Sequence, residues 1–214
     1  MAEAPATAGA TDWGGAWEHL RAADAVLARL LDANGLPEPR PPRPDVYAAL
    51  VRAIVGQQLS VRAARAIYDR LLARFDGHPP TPRQILDDDS DALRVAAGLS
   101  HAKVRYLRSL AEHVASGALE IDRLTELSDE EVMAELVAVK GIGEWSAHIF
   151  LMFTLQRPDV LAVGDLGIRR AVQRAYDLPA LPAAAELTAI AEPWRPFRTA
   201  ACLVLWHSLA NAPT

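Results

Sequence analysis

Apolar residues recur along this chain at intervals of three and four, and almost nowhere in strict alternation. Trp13, Trp17, Leu20, Leu27 and Leu31 keep helical spacing from Asp12 to Asn34-Gly35, which predicts a helix over that stretch. The proline-rich segment from Pro37 to Pro44 cannot continue a helix and reads as a linker. Asp45 is placed to cap a helix whose apolar positions are Val46, Tyr47, Leu50, Val51 and Ile54. A break at Gly56-Gln57-Gln58-Leu59 precedes Ser60, a second cap. The helix after it carries Ala64, Ile67, Tyr68, Leu71, Leu72 and Phe75 and ends at Gly77. Capping boxes are expected at Thr81-Pro82-Arg83-Gln84 and Ser128-Asp129-Glu130-Glu131. Between them Ser100 opens a helix with Val104, Leu107, Leu110 and Val114 on one face, closed by Ser116-Gly117. The expected class is all-α, with about ten short helices.

Composition narrows this picture only at its edges. The chain has 214 residues, 51% of them hydrophobic and 23% charged, which excludes wholesale disorder. No run of about 18 apolar residues is present, so a membrane span is not expected. The first ten residues have neither a basic nor an apolar region of the secretory kind. Residues 1–11, small and polar, are expected to be a tail without regular structure. A lone cysteine, Cys202, rules out an internal disulfide, a cysteine zinc site and a four-cysteine iron–sulfur cluster. It suits a reducing, cytoplasmic setting. Lys and Arg number 22 against 27 Asp and Glu, a net charge of −5. The acidic residues gather in the N-terminal arm and between Asp87 and Glu135. Arginines gather at Arg62, Arg65, Arg70 and Arg74 and again at Arg169, Arg170 and Arg174. A basic face on an acidic protein is compatible with this layout, so the net charge decides nothing about a nucleic-acid partner.

The stretch from 136 to 170 carries the chemistry. Leu136-Val137-Ala138-Val139-Lys140-Gly141-Ile142-Gly143-Glu144-Trp145-Ser146-Ala147 predicts a helix ending near Val139, a tight Gly-Ile-Gly turn and a second helix immediately after it. Glycines at both ends of such a turn permit positive φ and close approach of another backbone. Amides at the start of the second helix suit an anion such as a phosphate, and a side chain at Gly141 or Gly143 would obstruct it. A helix–hairpin–helix that grips a DNA backbone without reading sequence would look like this. A glycine-rich turn between packed helices would too. Further on, Val163-Gly164-Asp165-Leu166-Gly167-Ile168-Arg169-Arg170 puts a Gly-Asp pair where an extended segment enters a helix, Leu166–Tyr176.

These segments resemble the helix–hairpin–helix DNA glycosylases, and within them the 3-methyladenine DNA glycosylase II branch. The resemblance rests on the hairpin and the Asp165 segment. It rests also on Ala53-Ile54-Val55-Gly56-Gln57-Gln58-Leu59-Ser60-Val61 and on Trp194-Arg195-Pro196-Phe197-Arg198-Thr199-Ala200-Ala201 followed by Trp206. It covers roughly residues 15–210. It implies an all-α glycosylase fold of two helical subdomains, without the N-terminal β-rich domain of the best-known bacterial members. A central subdomain would span 46–164, with the hairpin at 139–144. The second would combine 12–45 with 165–214, all within one domain from 12 to 214.

The resemblance also implies roles. Asp165 would stabilise the oxocarbenium-like sugar and orient or deprotonate the attacking water. Capping the following helix is the usual job of such an aspartate, and the two roles are compatible. Trp145 and Trp206, with Tyr47 as a third, would stack on an alkylated, cationic base flipped out of the DNA, each contact worth about 0.5–2 kcal/mol. Core packing competes as an account of each. Gln58 and Leu59 would fill the gap left by the flipped base, Gln58 standing where the best-known members carry an apolar wedge. An ordinary interhelical turn is the bland alternative. Lys140, Gly141, Ile142 and Gly143 would meet the DNA backbone, as would Arg169 and Arg170, unless the charged side chains are merely solvated. His148 on its helix face is assigned no role.

Lyase-competent relatives place a lysine two residues after the last glycine of the hairpin, and Trp145 stands there instead. No Schiff base is expected, hence a monofunctional enzyme without lyase activity. No cofactor is expected and no metal-binding residues are assigned. The resemblance allows a structural monovalent cation on the backbone carbonyls of the hairpin. Two functions follow. One is base-excision hydrolysis of alkylated purines (3-methyladenine, with 7-methylguanine or etheno-adenine) in double-stranded DNA, by a cytoplasmic, nucleoid-associated monomer that needs no membrane. The other is a non-catalytic helix–hairpin–helix module that binds bent or damaged DNA.

Overall fold

The computed structural model describes residues 12–39, 41 and 45–210. The N-terminal tail of 1–11, linker residues 40 and 42–44, and 211–214 lie outside the described residues. Twelve α-helices and two single 3₁₀ turns make up the regular structure, and no strand occurs among the described residues. The chain forms two compact units: residues of 1–42 with those of 151–214, and residues of 43–150. Residues 151–164, drawn above with the central segment, fall in the first of these.

In the first unit, α1 (Trp13–Ala23) and α2 (Ala25–Asn34) replace the single helix expected from Asp12 to Asn34. Asp24 is the reason. Its backbone is extended and its carboxylate accepts from the amides of Val26 (2.8 Å) and Leu27 (3.2 Å), so it starts a new helix without any glycine or proline to announce the break. The same carboxylate accepts from Tyr176 Oη and from Trp194 Nε1 (2.8 Å). The expected apolar positions Trp17, Leu20, Leu27 and Leu31 are all buried. α10 (Leu166–Ala175) buries Ile168, Ala171 and Val172 at i, i+3, i+4 spacing and turns its arginines outward or aside. α11 (Ala184–Ile190) and a 3₁₀ turn lead to α12 (Arg198–Ala210). That last helix is buried from Thr199 to Leu205 and packs on α10, α2 and α1, forming the centre of the unit.

In the second unit, α3 (Val46–Gly56) buries Leu50, Val51 and Ile54 and packs on α4 (Val61–Arg74) and α7 (His101–Ala115). The expected caps are present: Asp45, Ser60, Thr81, Ser100 and Ser128 each accept from an amide three residues on, and both capping boxes close. α5 (Pro82–Asp87) and α6 (Ser90–Ala97) pack against α7 and α4. α8 (Asp129–Ala138) and α9 (Glu144–Phe153) flank the hairpin.

Candidate functional site

Asp165 sits where an irregular segment enters α10. A turn closed by its own amide on the Ala162 carbonyl (2.9 Å) brings the chain round. The extended φ and ψ of −74° and 118° then point its side chain back over the first turn of the helix. Oδ1 accepts from the Ile168 amide at 2.8 Å and from Trp206 Nε1 at 3.0 Å, and the residue is only 8% exposed. The capping role and a preorganised carboxylate are therefore realised by the same atom. Trp206 is half-buried on α12, tilted against Phe153 at a centroid distance of 6.0 Å. A buried carboxylate held at the edge of an indole ring is an arrangement that can stabilise developing positive charge.

The loop that delivers Asp165 is fastened to the start of α12. Asp159 accepts from Arg198 Nε (2.6 Å) and Nη2 (3.0 Å) in a bidentate pair and from Arg195 Nη1 (2.7 Å). Thr199 Oγ1 donates to the Arg157 carbonyl (2.7 Å) and accepts from the Val160 amide (3.1 Å). Helix α12 thus holds both Trp206 and the approach to Asp165. Arg169 turns away from a simple solvated role, because its Nε donates to the Pro182 carbonyl at 2.9 Å. Arg170 is exposed. Cys202 is fully buried, which pushes its thiol up to about 12.

The hairpin belongs to the second unit. After α8, the Ile142 amide closes the turn on the Val139 carbonyl (3.0 Å), Ile142 is buried as its anchor, and Ala147 begins the α9 ladder on the Gly143 carbonyl. Gly141 has φ +93°, and a Cβ there would lie 2.2 Å from Cγ of Tyr106. The glycine is thus demanded by an aromatic ring of α7, inside the protein. At Gly143 a Cβ would meet nothing within 4 Å, so that glycine faces open space. Lys140 is exposed, with its amide donating to Ser109 Oγ.

The tip between α3 and α4 is tied to this hairpin. Gln57 Nε2 donates to the Gly141 carbonyl at 2.8 Å, and Lys103 Nζ donates to the Val55 carbonyl at 2.7 Å. Burial holds the Lys103 ammonium below the usual lysine range. Between these ties Gln58 is exposed in the left-handed region at φ +56°, and Leu59 is exposed beside it. A groove of about 400 Å³ runs along Gln57, Gln58, Lys103, Tyr106, Gly141 and Trp145. Trp145 is 47% exposed, a large apolar side chain left at the surface. Tyr47 is half-buried, and its buried hydroxyl has no hydrogen-bond partner among the described residues. Burial, with the Asp45 charge adding to it, raises its pKa. His148 is half-buried, and that burial lowers its pKa against the opposing charge of Glu144.

The sequence pattern of the HhH-GPD superfamily of base excision DNA repair proteins matches residues 51–196. The chain belongs to that superfamily. It is 37% identical to DNA-3-methyladenine glycosylase 1 of Schizosaccharomyces pombe over 194 residues, covering 89% of this chain and 85% of the relative. Among solved structures it is similar to the S. pombe 3-methyladenine DNA glycosylase in complex with abasic DNA. There the TM-score is 0.80 at 35% identity, over 90% of this chain and 95% of that one. It is equally similar to a DNA-3-methyladenine glycosidase from Bacillus halodurans, with a TM-score of 0.80, 36% identity and coverage of 92% and 89%.

In this HhH-GPD protein the residues around Asp165 that sequence reasoning left without a role are Asp159, Arg198 and Thr199. Arg195, Arg198 and Thr199 lie in a segment that carries the family resemblance, yet their partners stand up to 42 residues away along the chain. Gln57 and Lys103 were likewise silent. No cluster of three or more His, Cys, Asp or Glu suited to a metal is found among the described residues. A monovalent cation at the hairpin would have to rely on backbone oxygens. Those of Val139, Gly141 and Gly143 already accept from Ile142, Gln57 and Ala147, and would share their second lone pairs. No described helix is long and apolar enough to cross a membrane.

Proposed function

We propose that this HhH-GPD protein is a monofunctional DNA glycosylase of the 3-methyladenine DNA glycosylase II type. It hydrolyses the N-glycosidic bond of alkylated purines, chiefly 3-methyladenine, in double-stranded DNA, as a monomer at the cytoplasmic nucleoid. The observation that carries the reading is the Asp165 carboxylate, buried and held by the Ile168 amide and the indole N–H of the half-buried Trp206. The bond from C1′ to the base nitrogen breaks heterolytically, and its electron pair neutralises the cationic purine. The positive charge left on the sugar is stabilised by Asp165. Water adds its oxygen to C1′ and gives up a proton to the carboxylate, leaving an abasic site and a free base. Trp206 offers its ring to the flipped base, and Trp145 and Tyr47 are the further aromatic contacts that the family resemblance implies. Gln58 and Leu59, exposed at the tip, fill the gap in the duplex. Lys140 and the turn 141–143 meet the backbone. Arg169, with its Nε already engaged, would contribute through its terminal nitrogens. The absence of an amine at Trp145 supports hydrolysis without strand cleavage.

The test uses randomly methylated duplex DNA and chromatography of the released bases. Wild type releases 3-methyladenine and leaves strands that break only on treatment with base. Asp165→Asn nearly abolishes release while still binding DNA that contains an abasic analogue. Wild-type rates in Asp165→Asn would remove the carboxylate from the mechanism. Silence from both proteins on methylated and etheno-adenine duplexes would favour a non-catalytic DNA-binding module.

A further inference from the structure

The second residue of α10 is a glycine, an unfavourable choice for a helix of ten residues with no left-handed geometry there to require it. Its surroundings explain the choice. A Cβ at Gly167 would lie 3.0 Å from Oδ1 of Asp165 and 3.3 Å from both Cδ1 and Nε1 of Trp206. Oδ1 and Nε1 are the two atoms joined by the 3.0 Å indole–carboxylate hydrogen bond. The space that a side chain would fill is the space in which that bond is made.

We propose that Gly167 and the indole N–H of Trp206 are positioning residues for the Asp165 carboxylate. Trp206 fixes the rotation of the carboxylate by donating to Oδ1, and Gly167 supplies the gap that lets the indole edge come within reach. Trp206 therefore acts through its nitrogen as well as through its ring face. Two anchors on one oxygen, the Ile168 amide from α10 and the indole from α12, set the carboxyl plane. Neither anchor depends on a mobile side chain, because Trp206 rests on the buried Phe153 and α12 is fixed through Thr199 and Arg198 to the loop before Asp165. The inference rests on the reading of Asp165 as the carboxylate of the reaction.

The experiment compares wild type, Gly167→Ala, Trp206→Phe, the double variant and Asp165→Asn. Single-turnover base release is measured on methylated duplex, affinity on duplex containing an abasic analogue, and thermal unfolding alongside. Gly167→Ala is expected to slow release by roughly ten- to a hundredfold, since small misplacements of a catalytic group have effects of that size. Abasic-DNA affinity should stay within about twofold, which separates a lost transition-state interaction from a damaged surface. Trp206→Phe keeps an aromatic face, loses the N–H, and should fall similarly. The double variant should be no slower than the slower single, because both changes break one bond. Multiplying losses in the double variant would overturn the inference, as would wild-type release by Gly167→Ala or Trp206→Phe with Asp165→Asn inactive. If Gly167→Ala does not fold, Trp206→Phe alone decides. Wild-type release by Asp165→Asn would instead strike at the function on which the inference stands.

Discussion

Replacing Asp24 by alanine removes three interactions from a single carboxylate. The cap on α2, two amides held at 2.8 and 3.2 Å, is one, and losing such a cap costs about 1 kcal/mol. Trp194 is fully buried, so its stranded indole N–H costs about 1–3 kcal/mol. The Tyr176 hydroxyl, half-buried, adds about 1 kcal/mol or less once water reaches it. The sum is about 2–5 kcal/mol, and for a chain of this size the melting temperature should fall by roughly 4–20 °C. Asp24→Asn keeps one acceptor oxygen and should lie between. Acid provides a second reading of the same group. Burial works to raise the Asp24 pKa, but the bonds from Tyr176, Trp194 and the amides of Leu27 and Val26 outweigh it and hold it below 3.8. A carboxyl depressed in the folded state stabilises fully above its unfolded pKa and loses that contribution as pH falls through the folded value. The deficit of Asp24→Ala should therefore be constant from neutrality down to about pH 5 and shrink at lower pH. Calorimetric or circular-dichroism melts across that range test both parts. A shift below about 3 °C at neutral pH would refute the account, since even the smallest sum, about 2 kcal/mol, corresponds to about 4 °C.

Three other expectations follow from burial and close approach. Gly141→Ala combines an unfavourable positive φ with a Cβ 2.2 Å from the Tyr106 ring, so it should destabilise the second unit by at least about 2 kcal/mol, read as a lower urea midpoint. Gly143→Ala, with nothing within 4 Å, should leave that midpoint nearly unchanged and weaken only DNA binding. Cys202, buried with its thiol raised to about 12, should resist an aromatic disulfide reagent in the native protein and react at once in denaturant. Prompt reaction of the folded chain would show that α12 opens more readily than its packing indicates.

Much of the local structure was legible because its causes are local. Asp45, Ser60, Thr81, Ser100, Ser128 and Asp165 announce helices through a hydrogen bond to a residue three positions on, and each does so in the fold. The break at Asp24 was not legible. A lone aspartate within an unbroken apolar periodicity looks like a solvated helix position unless its distant donors, Tyr176 and Trp194, are known. The candidate site divides in the same way. Asp165 and the hairpin glycines stand out in the sequence, whereas the reason for Gly141 is a tyrosine 35 residues earlier and the reason for Gly167 a tryptophan 39 residues later. Arg198 and Asp159 likewise find each other only through the return of α12. Patterns of period and capping reveal elements; the contacts that aim side chains are made between elements and leave no spacing to read.

The hydrogen bond from Gln57 to the Gly141 carbonyl bears on how this protein is to be taken apart and rebuilt. By sequence Gln57 is part of the exposed tip, but by bonding it is part of the hairpin 84 residues away. The tip is therefore no free-standing cassette. An exchange of residues 58 and 59 alone swaps what is presented and keeps its seat, whereas an exchange that takes residue 57 along also unfastens the seat. Chimeras between relatives have to respect that seam, placing the junction after Gln57 and before Ser60, whose hydroxyl belongs to the helix that follows.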